Sequence, residues 1–252
     1  MPPHPSEPVA AKPTALTPGG QETDRNAGGK RPAVLHIEDD SLWARVVAGL
    51  LGDWPEVCPV GAAGNGHDGL VLCAERKPAV VILDLVLPDL KGFEVLDRLN
   101  ALPHPPQILL LTCRQDEAVL YRLGFGGVAG LIWKSIDFAR HLRPALAALA
   151  AGRSYFPPEV TGALRRFHAS PDAFFKILSP LEQRLVSLAG MGWTDGEIAR
   201  RLACGFSTVR VHFRNIMIKL GLEGRHALLR WARTAGFDHE PPPGKDHVKR
   251  KF

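Results

Sequence analysis

Glu38, Asp39, Asp40, Asp84, Thr112 and Lys134 are the side chains of this sequence most able to do chemistry together. Each directly follows a short apolar run. The acids at 38–40 follow Ala33–Ile37, Asp84 follows Val80–Leu83, Thr112 follows 107–111 and Lys134 follows Gly130–Trp133. A set of carboxylates with a hydroxyl and an ammonium offers hard oxygen donors and one fixed cation. Such a set suits Mg²⁺, which takes carboxylates, waters and phosphate oxygens. With its charge screened, Asp84 can attack phosphorus and carry an aspartyl phosphate. Lys134 would stabilise the phosphoryl oxygens and Thr112 would hydrogen-bond them. One acid at the end of a strand is an ordinary turn residue. This many polar groups at the ends of successive apolar runs is a pattern that turn formation alone does not explain.

Bringing those groups together requires a particular arrangement of elements. Apolar runs of strand length alternate with helical spacing five times over about 120 residues, which implies a parallel sheet with helices on both faces. The runs at 57–62, 80–83, 107–111 and 130–133 join the first one as strands. Helices are expected at 42–51, 68–75, 92–100, 117–123 and 136–150. Pro59 cannot donate to a ladder, so its strand belongs at an edge. The order 2-1-3-4-5 satisfies this, and it converges the strand ends at a topological switch point. The expected fold is α/β, a doubly wound five-stranded parallel sheet followed by a small all-α domain.

Charge divides the chain in the same way. Residues 32–151 hold 10 Lys and Arg against 14 Asp and Glu, a net of −4, whereas residues 172–237 hold 10 against 5, a net of +5. An acidic half and a basic half point to different partners, and the basic half is compatible with nucleic acid. No 18-residue apolar run exists, which argues against a transmembrane helix. The N-terminus lacks the apolar stretch of a secretory signal. Cys58, Cys73, Cys113 and Cys204 form no C-x-x-C pair, and reduced core thiols in a cytoplasmic protein are expected. The histidines have no zinc-site spacing. Residues 1–31 read as a disordered leader, 32–151 as the first domain, 152–175 as a linker, 176–237 as the helical domain and 238–252 as a disordered tail.

The order Glu38-Asp39, then Asp84 with Leu-Val-Leu-Pro and Gly92 behind it, then Thr112 and Lys134, resembles the receiver domain of two-component response regulators. The resemblance implies that Glu38, Asp39, Asp84 and the backbone carbonyl of Val86 hold the metal. It implies Asp84 as phosphoacceptor from a histidine kinase, with Thr112 and Lys134 as switch and phosphate ligands. Asp40 then falls outside the metal shell and caps the first helix. The chain departs from the pattern at Ser135, where the family often has Pro, and at Leu131, where an aromatic switch residue is usual. Cys113 replaces the usual small residue after the threonine. Val86 is apolar and cannot orient an attacking water, so slow hydrolysis of the phosphate is expected.

In the basic half, Ser179-Pro180 with Glu182 reads as a capping box with Pro at the first helical position. Helices are expected at 195–203, 207–220 and 225–234, a helix-turn-helix arrangement. The runs 178–182, 192–202 and 208–220 resemble the LuxR-type helix-turn-helix of the NarL/FixJ class. Val209, Phe213, Ile216 and Leu220 share the apolar stripe of the third of these helices. Arg210, Val211 and Arg214 point away from it and could meet a major groove. Gly205-Phe206 replaces the usual capping pair. Glu182 and Glu197 read as structural, through capping and pairing with arginines. Trp193 reads as packing, and the last helix could pack on its own domain or supply a dimer face.

Together these features predict a phosphorylation-controlled, promoter-binding regulator, homodimeric when active, cytoplasmic and without enzymatic turnover. Leu131 and Ser135 leave open a regulator of the same fold that works without phosphorylation. A Mg²⁺-dependent aspartyl-phosphate phosphohydrolase is a further alternative. Val86, standing where such enzymes commonly carry a second acid, argues against it.

Overall fold

The structure is a computed structural model and describes residues 31–124 and 126–239. The first half alternates β1 (Ala33–Ile37), α1 (Ser41–Gly52), β2 (Cys58–Ala63), α2 (Gly66–Arg76), β3 (Val80–Leu83), α3 (Gly92–Asn100), β4 (Gln107–Thr112), α4 (Glu117–Leu123), β5 (Gly130–Trp133) and α5 (Phe138–Ala150). The five strands form one parallel sheet in the order β2-β1-β3-β4-β5. β2 lies at the edge as Pro59 requires, and the register shifts between Val34 and Leu35, beside that proline.

Alternation along the strands divides the core into two layers. Val34, Val80, Ile82, Leu109 and Leu111 face α1 and α5, where Val47, Leu142 and Leu146 complete the layer. Leu35, Ile37, Val81, Leu83, Ile108 and Leu110 face α2, α3 and α4, where Cys73, Phe93, Leu96 and Val119 join them. Gly92 opens α3 in contact with the strand-end backbone, where a Cβ would overlap Leu85. Glycine there lets α3 begin directly beside the loop after Asp84.

The segment 152–175, expected as a linker, carries regular structure. α6 (Pro158–Ala169) and α7 (Phe174–Ile177) occupy much of that segment. Pro158 sits at the first position of α6, where its missing N–H costs nothing. Val160 and Phe167, seven residues apart, are both buried. Tyr155 extends the sheet edge, its N–H donating to Ala129 O at 2.9 Å and its carbonyl accepting from Leu131 N at 3.3 Å.

The second half contains α8 (Pro180–Gly190), α9 (Asp195–Arg201), α10 (Phe206–Lys219) and α11 (Gly224–Thr234). Capping boxes start α8, with Ser179 and Glu182, and α9, with Thr194 and Glu197. Val209, Phe213, Ile216, Leu228 and Ala232 form the core with Leu185, Val186 and Ile198. Glu182 pairs with Lys219 at 2.7 Å rather than with an arginine. Trp193 packs against this core, with the Arg201 guanidinium 5.1 Å from its ring centroid.

Two further expectations need correction. Of the four thiols only Cys73 is buried; Cys113 and Cys204 are exposed and Cys58 is intermediate. Cys113 and Cys204 lie in loops, outside the strands and helices whose faces make the core. The residues assigned to the tail begin too early, because Asp238 and His239 pack against the first half. The leader, apart from Arg31, and the tail beyond His239 lie outside the described residues. Among the described residues, no helix is long and apolar enough to cross a membrane.

Candidate functional site

The carboxyl ends of β1, β3, β4 and β5 collect the polar residues. Glu38 N donates to Ala63 O at 2.9 Å and Asp84 N to Ile37 O at 3.0 Å, so the sheet ladder continues into the site and fixes both acids. Lys134 N donates to Thr112 O at 2.9 Å. The Asp40 side chain accepts from Leu42 N at 2.8 Å and Trp43 N at 3.3 Å, capping α1 as expected.

Lys134 is the bridge of the site. Its Nζ donates to Glu38 Oε1 at 2.9 Å and to Asp84 Oδ2 at 2.7 Å. The three side chains are almost wholly buried. Asp84 Oδ1 accepts from Leu85 N at 2.6 Å. Burial lowers the Lys134 pKa, but hydrogen bonds to Asp84 and Glu38 outweigh it and hold the ammonium above its ordinary value. Burial likewise raises the Glu38 pKa, against the bonds from Lys134. The ring of Trp43 lies 5.4 Å from the Lys134 ammonium. His36 is held down to about 4, first by burial and then by the Lys134 charge, so at neutral pH it adds no second cation.

Glu38, Asp39 and Asp84 each present a carboxylate oxygen, all within 4.8 Å of one another. Asp39 is exposed and opens the cluster to solvent. Glu38 Oε2 is buried and makes no well-directed hydrogen bond, although the Lys134 ammonium lies 2.7 Å away. A hard-oxygen cluster with one open side and one under-used carboxylate oxygen fits Mg²⁺. Thr112 is fully buried, and its Oγ1 accepts from Arg114 N at 3.3 Å. The Val86 side chain is exposed, Ser135 is exposed, and Leu131 is fully buried in the sheet.

Arg210, Val211 and Arg214 are all exposed on α10, opposite the buried stripe Val209, Phe213 and Ile216. Gly205 precedes the helix without a side-chain cap. One apolar neighbour was overlooked on this face: Phe206, 53% exposed, whose ring centroid lies 5.9 Å from the Arg210 guanidinium carbon. The sequence signal was the aromatic itself, read only as a missing capping residue.

Sequence reasoning also missed a seam between the two halves, beginning one residue past Cys113. Arg114 pairs with Asp116 at 2.8 Å and reaches Asp238 at 3.2 Å and Gly236 O at 3.4 Å. Ala118 N donates to Ala235 O at 3.1 Å. Leu120 is buried in the core of the helical half, and the Tyr121 ring lies 4.8 Å from Phe174 and 5.6 Å from Phe175. The His239 ring lies 4.1 Å from that of Phe93. Asp238 is held down to about 2: burial opposes this, but the bond from His239 and the Arg114 charge prevail. Thr112, whose hydroxyl holds Arg114 N, thus sits two residues from a side chain that grips the helical half.

Comparison with known proteins matches both halves. Residues 34–145 match the response regulator receiver domain, and residues 176–232 match the bacterial regulatory proteins of the luxR family. Nitrate/nitrite response regulator protein NarL of Escherichia coli strain K12 is 28% identical over 207 residues, 80% of this chain and 95% of its own. Response regulator protein VraR of Staphylococcus aureus strain Mu3 is 25% identical over 192 residues, 76% of this chain and 91% of its own. Among solved structures, RcsB from Salmonella enterica serovar Typhimurium, bound to a promoter in the presence of a phosphomimetic, superposes with a TM-score of 0.57 at 24% identity. That match covers 82% of this chain and 99% of the other, and it speaks for the fold.

Proposed function

We propose that this chain, which belongs to the response regulators of the NarL/FixJ class, accepts a phosphoryl group on Asp84 from a histidine kinase and thereby controls the binding of α10 to promoter DNA as a homodimer. The observation that carries this reading is the Lys134 ammonium seated on both Asp84 and Glu38 at the open end of the sheet. An Asp84 oxygen forms the new bond to phosphorus while the phosphorus–nitrogen bond of the donor breaks and its electron pair returns to the imidazole. Lys134 already touches the acceptor carboxylate and follows the charge onto the phosphoryl oxygens. Thr112 supplies a hydroxyl to the same group, turning away from Arg114 N. Glu38, Asp39 and Asp84, with the Val86 carbonyl, would hold Mg²⁺. When bound, the ion neutralises phosphoryl charge that the single lysine cannot.

Incubation with a small phosphodonor and Mg²⁺ should place one base-labile phosphoryl group on the chain. Asp84→Asn and chelation should each prevent it. Labelling that persists in Asp84→Asn would remove the residue from this role. A second reading, regulation without phosphorylation, has one observation behind it: Leu131 is apolar and fully buried, so it offers no polar switch contact. Unlabelled wild type under saturating donor would favour that reading. Val86 at the position two residues after Asp84 disfavours a turnover enzyme, and release of phosphate from generic esters would show one.

A further inference from the structure

Phe206 is the first residue of α10, and more than half of it stands in solvent. A lone exposed aromatic needs no explanation, but this one has company. The Arg210 guanidinium, one helical turn on, lies 5.9 Å from its ring centroid, within the range of a cation–π contact. At ~100° per residue, Phe206, Arg210, Arg214 and Val211 span one continuous arc of roughly 140° on the helix. The buried Val209, Phe213 and Ile216 lie outside that arc. The N-terminal residues of a recognition helix are those that meet base edges, so Phe206 stands at the leading end of this surface.

The pairing has a consequence for what the surface reads. A guanidinium drawn toward a ring by a cation–π contact can still present its N–H fork to a base edge. Such a fork pairs with guanine O6 and N7, whereas an apolar ring pairs with the 5-methyl of thymine. We propose that Phe206 is a base-reading residue, contacting the 5-methyl of a thymine adjacent to a guanine held by Arg210, whose guanidinium it also positions. This rests on the reading of α10 as the DNA-binding helix and assigns that surface a sequence element.

The test uses the full chain, treated with a small phosphodonor and Mg²⁺, and a randomised duplex library. Wild type should enrich duplexes carrying thymine beside guanine. Replacing that dT by dU, which lacks only the methyl, should weaken wild-type binding roughly tenfold, the scale of one base contact. Phe206→Ala should bind the selected duplex more weakly and be indifferent to dU. Its salt slope should match that of wild type, since no phosphate contact is removed. Phe206→Leu should keep part of the methyl dependence. The proposal is overturned if dU weakens wild type and Phe206→Ala equally, or if Phe206→Ala selects the same sequences at wild-type affinity. Should that happen while Arg210→Ala loses binding, the DNA reading stands and only this assignment falls. Failure of wild type to enrich any duplex would remove both.

Discussion

The acidic cluster at the carboxyl end of the sheet and the outer face of α10 both carry cations, but the two place them oppositely. Lys134 is buried and bonded to two acids at 2.9 and 2.7 Å. Arg210 and Arg214 are exposed, with Arg210 leaning on an aromatic ring. A buried charge is held by partners that would be left uncompensated without it, so function and stability are joined there. An exposed charge is solvated in the free protein, so it can be removed without disturbing the fold. One half of the chain is therefore expected to couple chemistry to its own folding, and the other to separate them.

Lys134→Ala breaks this contrast most sharply. It leaves Glu38 and Asp84 buried side by side without their cation. Stability from urea unfolding should fall by about 3–5 kcal/mol, with phosphorylation lost as well. A loss under about 1 kcal/mol would mean that the ammonium is not holding the acids.

The double variant Arg210→Ala/Arg214→Ala should do the reverse. Duplex DNA affinity should fall about a hundredfold at low salt, with a shallower salt dependence if either side chain contacts phosphate. Its unfolding free energy should stay within about 0.5 kcal/mol of wild type. A folded double variant that binds as well as wild type moves the DNA surface off α10.

Asp238 sharpens the comparison with a group of intermediate burial at the seam. Its folded pKa is depressed to about 2 from an ordinary 3.8. A depressed carboxylate contributes stability that is fully present above the unfolded value and is lost as pH falls through the folded one. The thermal midpoint of wild type should therefore exceed that of Asp238→Asn above pH 4. The difference should close as pH falls through about 2. A difference independent of pH over that window would assign the effect to something other than the carboxylate's charge.

Much of the first half was legible because four of the five strands are short apolar runs that end at a polar side chain. Period and punctuation coincide at Ile37-Glu38, Leu83-Asp84 and Trp133-Lys134, and Pro59 alone fixed the edge strand. The Thr112 to Arg114 contact and the seam were not legible. Arg114 is separated from Gly236 and Asp238 by more than a hundred residues, and nothing in local pattern pairs them. Gly236 has a positive φ of 82° and approaches Asp116 so closely that a Cβ would overlap it. In sequence that glycine is indistinguishable from a helix terminator. Pro158 shows another limit of local punctuation: a residue that ends one element legally begins another. Cys113 and Cys204 misled because a thiol in a loop has no strand or helix face to bury it.

The buried site is proposed to govern the exposed one, and Arg114, two residues from Thr112, joins that end of the sheet to Gly236 and Asp238 through hydrogen bonds. The direct measurement is the duplex DNA affinity of the full chain before and after treatment with a small phosphodonor and Mg²⁺, in wild type and in Asp84→Asn, at one fixed salt concentration. The account predicts that treatment changes the affinity of wild type and leaves Asp84→Asn at its untreated value. An identical response of the two proteins, or DNA binding by wild type that treatment does not alter although Asp84 is phosphorylated, would contradict it.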